Sequence, residues 1–405
     1  MLATLSIAGG IVLAVALTSH PPWRGPTPAA EAAAAEPAPT GVLGMTPHTR
    51  QPAAGSAGAE LGMPHMQVVD VGSGVVRRLP VQNGLVAWTP ASDAIAHSDG
   101  RTVSVVDAET LDVRAVFSAD DVRALDWSPD GRRLAVAADN GVTLVERDGR
   151  LAGRTGAEHE VVDLAWSPNG REVAYRTALD TLHVFGTEEN PSVRTTEIEG
   201  RFLYHRWLQD GRLVAVGSVE PGGFPLSLYA VRPDGSVRAL LPVPEAALTL
   251  AISDQGTHVA FVEQARPGSH ELETRLVSLS DGSEVARFEG GFQTHQGQHE
   301  AFSADGKRLW LVSDRCGAGS TLRAASVDGG SETLARTSPY SASWSPADSA
   351  IAYSEGTDLF VAASGGAPRL LVQRGVQGNI PAIWSPDGQR LLYWGFFGGF
   401  GACES

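Results

Sequence analysis

From about Met66 onward, apolar and polar residues alternate in short runs, and each run stops at a turn signal. After Trp127 the run RLAVAAD meets Asn140-Gly141, VTLVERD follows and meets Gly149, and a fourth segment lies near LAGRTG. A period of two bounded by Asn-Gly, Asp-Gly or Gly-Gly predicts strands joined by hairpins. No stretch after Gly62 offers a long amphipathic helix, so the pattern predicts an all-β domain.

The same wording returns at a fixed period. AWTPASDAIA at Ala87, DWSPDGRRLAVA at Asp126, AWSPNGREVAY at Ala165, RWLQDGRLVAV at Arg206, AISDQGTHVAF at Ala251, AFSADGKRLWL at Ala301, SWSPADSAIAY at Ser343 and IWSPDGQRLLY at Ile383 make eight copies. Their aromatic or Ile positions, 88, 127, 166, 207, 252, 302, 344 and 384, are spaced by 39, 39, 41, 45, 50, 42 and 40 residues. Such a period marks a repeat architecture. In Ser128-Pro129-Asp130-Gly131 the Ser can accept from the turn backbone, Pro fixes φ, and Gly takes the position that needs φ above zero. A four-stranded sheet is too small to bury both faces alone and must stack on its neighbours. Trp88, Trp127, Trp166, Trp207, Trp344 and Trp384 therefore read as structural, filling the gap between sheets. Radial repetition of such sheets is a β-propeller of four-stranded blades.

The repeats resemble the WSPDG (PD40) repeats of TolB-type propellers, relatives in shape of WD40 blades, over about residues 66–395. That resemblance implies the fold and, because the same blades occur in periplasmic translocation proteins, peptidase gating domains and polysaccharide lyases, implies no single activity. The last motif supplies two strands, and MQVVDVGSGVVRRLPV from Met66 looks like a third and fourth. Pairing the two ends completes an eighth blade and leaves no free edge. Seven blades is the alternative, with Gln209 and Asp254 in the weakest turns, in copies four and five.

Ahead of the repeats, residues 1–18 carry no charged side chain and are strongly apolar, so residues 1–19 read as a signal peptide or membrane anchor. Ala14-Val15-Ala16 offers a cleavage pattern, and cleavage and retention both stay open. Residues 20–64 hold nine of the 25 prolines and little apolar periodicity, the composition of a disordered, extended linker. Residues 65–405 are then a single propeller domain. The chain is expected to be exported and either membrane-anchored or secreted or periplasmic, touching the membrane only through its N-terminal segment, with a monomeric head. A formal charge of -15 and the absence of a basic patch argue against nucleic acid as a partner. Basic pairs such as Arg77-Arg78 and Arg132-Arg133 read as solvated surface.

Candidate chemistry is sparse. The chain has no GxSxG nucleophile elbow, and GFFGGFG at Gly395–Gly401 lacks the Lys and strand-to-helix setting of a phosphate cradle. GGFQTHQGQHEAFSADG brings His295, Gln296, Gln298, His299 and Glu300 into the longest interval between motifs, and His205 lies in YHRW of the fourth copy. Imidazoles and amide oxygens suit Mn²⁺ or another divalent metal. HEAFSADGKRLW is similar to a segment of oligogalacturonate lyases, which implies a metal site with His205, His295 and His299 as candidate ligands; exposed loop polars are the simpler account. Cys316 and Cys403 are the two cysteines, and a disulfide between them stays open. Trp310, Trp394, Phe396, Phe397 and Phe400 form an aromatic set expected to pack in the later blades. The expectation is a TolB-like scaffold without cofactor or catalytic residues, binding a protein or glycan in the cell envelope; the alternative is a metal-dependent lyase.

Overall fold

The computed structural model describes residues 65–395 apart from 83, 139–140, 157–158, 188–194, 233, 293–300, 316–318, 338, 340 and 378–379. Its strands fall into eight sheets arranged as the blades of a propeller. Blade 1 spans Leu85–Ser118, blade 2 Ala124–Gly156, blade 3 Val161–Ile198, blade 4 Arg201–Pro242, blade 5 Ala247–Glu289 and blade 7 Ala342–Val372. In blade 6 three strands from Arg308 to Ala335 are described, and the bridges Gly291↔Val312 and Phe302↔Leu309 mark where an inner strand flanks them. Blade 8 is composite: Ile383–Trp384 and Arg390–Gly395 pair onward to His65–Asp70, which pairs with Val76–Gln82. The register runs from His65↔Gly395 to Asp70↔Arg390, so the N-terminal strands close the ring as the sequence predicts. Among the described residues there is no helix.

Burial follows position in the blade. Second strands such as Ala94–Ser98 and Leu213–Ser218 are buried along their whole length, covered by a neighbouring blade on each face, whereas outer strands such as Val113–Ser118 are largely exposed. The core is accordingly not one mass but a series of wedges between blades. Trp127 with Leu134 and Val136 meets Ala94, Ala96 and Val103 of blade 1, and Trp166 with Tyr175 meets Ala135 and Leu144 of blade 2. Met66, Val68 and Leu392 of blade 8 meet Ile95 and Val106 of blade 1. The largest wedge runs through blades 5, 6 and 7 and holds Trp310 and Trp344.

The motif turn behaves as its chemistry requires. Ser128 Oγ donates to Asp130 and accepts the Arg133 N–H, and Gly131 sits at φ 67°. Ser167, Ser303 and Ser385 repeat the pattern with Gly170, Gly306 and Gly388 at positive φ. Two copies put Ser92 and Asp348 at that left-handed position instead. A side chain there is strained, and both use it: Asp348 accepts the Ala304 and Asp305 N–H groups of blade 6, and Ser92 Oγ accepts the Asp387 N–H of blade 8.

Indole N–H groups tie blade to blade. Trp127 donates to Ala87 O, Trp166 to Asp126 O, Trp207 to Ala165 O, Trp344 to Ala301 O and Trp384 to Ser343 O, at 3.0 to 3.2 Å. In each case the acceptor precedes the motif aromatic of the previous blade. Trp88 is different, because its N–H is buried without a partner among the described residues. At that closing seam the Arg390 guanidinium stacks on the Trp88 ring and donates to Ser92 O and Ala108 O. Arg77 adds bonds to Ala108 O and Glu109 O, and Arg133 likewise reaches Thr187 O of blade 3. One member of each basic pair is thus a staple between blades and not merely solvated surface.

Packing and hydrogen bonding at these Trp residues separate by mutation. Trp166→Phe keeps the wedge filled and is expected to cost about 1 kcal/mol, whereas Trp166→Ala opens a cavity and costs about 3–5 kcal/mol. Equal losses for the two variants in urea denaturation would assign the stabilisation to the hydrogen bond.

Candidate functional site

The inner strands border the axis of the ring, and their polar residues are the place to look for chemistry. The residue before the motif aromatic is apolar in five of the eight copies; where it is Asp126, Arg206 or Ser343, its side chain crosses to the next blade. Asp126 accepts the Trp166 N–H at 2.9 Å, Arg206 donates to Ile252 O and pairs with Asp254, and Ser343 donates to Ala382 O. These groups satisfy backbone on the free edge of the neighbouring inner strand, which a sheet edge otherwise leaves to water.

His205 lies on the inner strand of blade 4 and is buried, 3% exposed. Its Nδ1 is 3.7 Å from Asp163 of blade 3, and neither ring nitrogen makes a hydrogen bond among the described residues. Burial lowers its pKa, the Asp163 carboxylate opposes that, and the Arg176 guanidinium reinforces it, so the imidazole is neutral at pH 7. Asp126 is pushed up to about 7 by burial, against the stabilising N–H groups of Trp166 and Trp127 and with repulsion from Asp163 adding to the rise. Asp126, Asp163 and His205 thus form a polar seam across blades 2 to 4. Sequence reading singled out His205 but missed Asp126 and Asp163. The available signal was a carboxylate on an inner strand at positions where no other copy carries one.

His295, Gln296, Gln298, His299 and Glu300 lie outside the described residues, as do Cys316, Cys403, Phe396, Phe397 and Phe400. Among the described residues no group of three His, Cys, Asp or Glu side chains is arranged to hold a metal ion. Trp310 is buried with its ring edge-on to Phe292, and Trp394 packs against the wedge between blades 8 and 1.

The ring has two unlike faces. Because strands alternate in direction, first-to-second and third-to-fourth connections share one face, and second-to-third and blade-to-blade connections share the other. On the first face the motif turns occupy equivalent positions, such as 128–132 and 385–389, and the remaining turns are short except for 187–194 in blade 3. On the second, the loop face, second-to-third connections range from 356–357 in blade 7 to 219–226 in blade 4 and 265–271 in blade 5. There the blade 3 turn is pinned by Asp180 at φ 63°, whose buried carboxylate accepts from Arg176 at 3.2 Å and Arg201 at 2.8 Å. The Asp180 carbonyl accepts the Phe202 N–H at 2.7 Å.

Residues 112–145 match the family model for the WD domain, G-beta repeat. The chain is a β-propeller, and this one stretch of it is similar to a WD repeat. The match begins just before the outer strand of blade 1 and ends in the third strand of blade 2, so the sequence repeat straddles two blades. Among solved structures, that of the Dos1 propeller is similar at 12% identity and TM-score 0.55, over 76% of this chain and 90% of that one, which supports the fold. An oligogalacturonate lyase in complex with manganese is 16% identical over 65% of this chain and 82% of that one at TM-score 0.46. A protein described as a TolB of Agrobacterium tumefaciens is 16% identical over 83% and 99% at TM-score 0.39. At these scores neither bears on function. No curated protein matches the sequence.

The raised pKa of Asp126 has a definite sign. Its carboxyl holds a proton in the folded chain that the unfolded chain, at 3.8, has already released. Stability therefore falls as pH rises from about 4 to about 7 and levels off above. Asp126→Asn, whose amide oxygen still accepts from Trp166, is expected to melt above the wild type at pH 8 and level with it near pH 4. Identical differences at both pH values would show that Asp126 titrates normally.

Proposed function

We propose that this chain is an exported binding scaffold of the cell envelope, engaging a protein or glycan partner through the loop face of its propeller. The observation that carries this reading is the contrast between the two faces: uniform motif turns on one, and connections of unequal length on the other. Variation concentrated in the loops of one face of a rigid ring is how such scaffolds are specialised. The apolar segment at 1–19 supports export, and the Pro/Ala-rich stretch at 20–64 supports a spacer between a membrane and the head. The charge of -15 disfavours nucleic acid.

Capture from the envelope fraction with the full chain tests it. A specific partner retained by the wild type is expected to be lost when 219–226 is replaced by a two-residue turn, and kept when Arg132 on the motif-turn face becomes Ala. Retention despite the shortened loop, or recovery only from the cytosol, argues against the reading. Metal analysis of the purified chain separates the scaffold from the lyase: stoichiometric Mn, Ca or Zn lost on His299→Ala supports an enzyme, and its absence supports the scaffold.

A further inference from the structure

Exposed large apolar side chains on this propeller fall into two groups. Six of the nine among the described residues, for example Leu151 and Leu370, lie on or at the start of outer strands, spaced around the rim. The other three are together. Leu179, Val219 and Phe224, 54%, 41% and 61% exposed, sit on the loop-face connections of the adjacent blades 3 and 4.

Contacts between those connections make them one surface. Arg201, at the start of blade 4, reaches back to Asp180 beside Leu179, and a Cβ on Gly223 would meet the Arg201 side chain at 3.6 Å. A Cβ on Gly200 would strike Ser218 O at 2.8 Å, so the 199–201 turn lies against the start of the 219–226 loop. The Ala178 N–H donates to Glu160 O at 2.8 Å. With Asp180 clamped between Arg176 and Arg201, the turn that raises Leu179 into solvent is held before any partner arrives, which lowers the ordering cost of binding.

Charge on the same surface selects the occupant. Arg201 is already paired with Asp180, and Glu160 with Arg123. Glu199 and Glu220 are exposed and make no ion pair among the described residues. A second copy related by a two-fold axis would set these carboxylates against themselves, and an anionic lipid surface would meet the same repulsion. An uncharged partner would desolvate them without compensation.

We propose that the Leu179–Val219–Phe224 surface docks a basic protein segment, with a large apolar side chain seated against Phe224 and flanking Lys or Arg side chains meeting Glu199 and Glu220. This rests on the reading of the loop face as the binding face. All five side chains are exposed, so replacing them leaves the wedges between blades intact.

A display library of random 12-residue peptides selected on the full chain tests it, with affinities then measured by fluorescence anisotropy. Enriched peptides are expected to carry net positive charge around an aromatic or Leu residue. Binding should weaken about tenfold or more on Leu179→Ser/Phe224→Ser. On Glu199→Gln/Glu220→Gln it should weaken about threefold to tenfold and lose most of its salt dependence. Leu151→Ser on the rim should leave it unchanged, and matching thermal melts show that the variants are folded. Enrichment of acidic or neutral peptides, binding indifferent to both double variants, or no enrichment overturns the proposal. The scaffold reading is decided separately, by capture from the envelope fraction.

Discussion

A four-stranded sheet of about thirty residues has two apolar faces and no means of covering either, and this constraint governs the whole molecule. Each blade must find a neighbour on both sides, so the only arrangement without an exposed face is a closed ring. The motif tryptophans meet the constraint twice over. Their rings fill the widening gap between blades, and in all but Trp88 the N–H group finds a carbonyl on the inner strand of the blade before. Copies five and six, with Ile252 and Phe302 at that position, keep an apolar side chain in the gap and give up the donor. Packing is therefore the indispensable half of the device and the hydrogen bond the refinement.

The fold was legible because a period near forty residues constrains topology more strongly than any local propensity. Even the composite blade could be read, since two strands were missing at one end of the chain and two were spare at the other. The doubtful copies at Gln209 and Asp254 are true blades held by substitutes. Leu208 is buried where other turns place Ser or Thr, and Arg206 bonds Ile252 O and Asp254 across the seam. Site chemistry was less legible for a physical reason. Whether a polar residue on an inner strand faces water or a neighbouring blade depends on the seam between sheets, which carries no sequence period of its own. His205 stood out in the sequence as a possible ligand and is a buried, neutral imidazole beside Asp163. Asp126 attracted no notice and holds the edge of blade 3.

Rigidity and variation are divided between the faces. The face of the motif turns is knitted from blade to blade by Ser92, Asp348, Arg308 and Arg390, whose partners all belong to a neighbouring turn or outer connection. Changes of length there would break contacts with two blades at once. Loop-face connections such as 219–226 answer mainly to the blades they join, so insertions and exposed apolar side chains are tolerated there. Arg176 links the polar seam of blades 2 to 4 to that face, acting on both His205 and the clamp on Asp180.

The composite blade also sets an order of events during synthesis. His65–Asp70, the first strand of the ring to be made, pairs on one side with its hairpin partner and on the other only with Arg390–Gly395. Almost the entire domain must be made before that second ladder can form, so closure is the most non-local step in folding and is expected to be slow. Until then an unclosed series of blades presents an unpaired strand edge and an uncovered wedge at each end. Pairing of Arg390–Gly395 with His65–Asp70 removes both edges and covers both wedges in a single step, so the ring gains its last core only when its two ends meet.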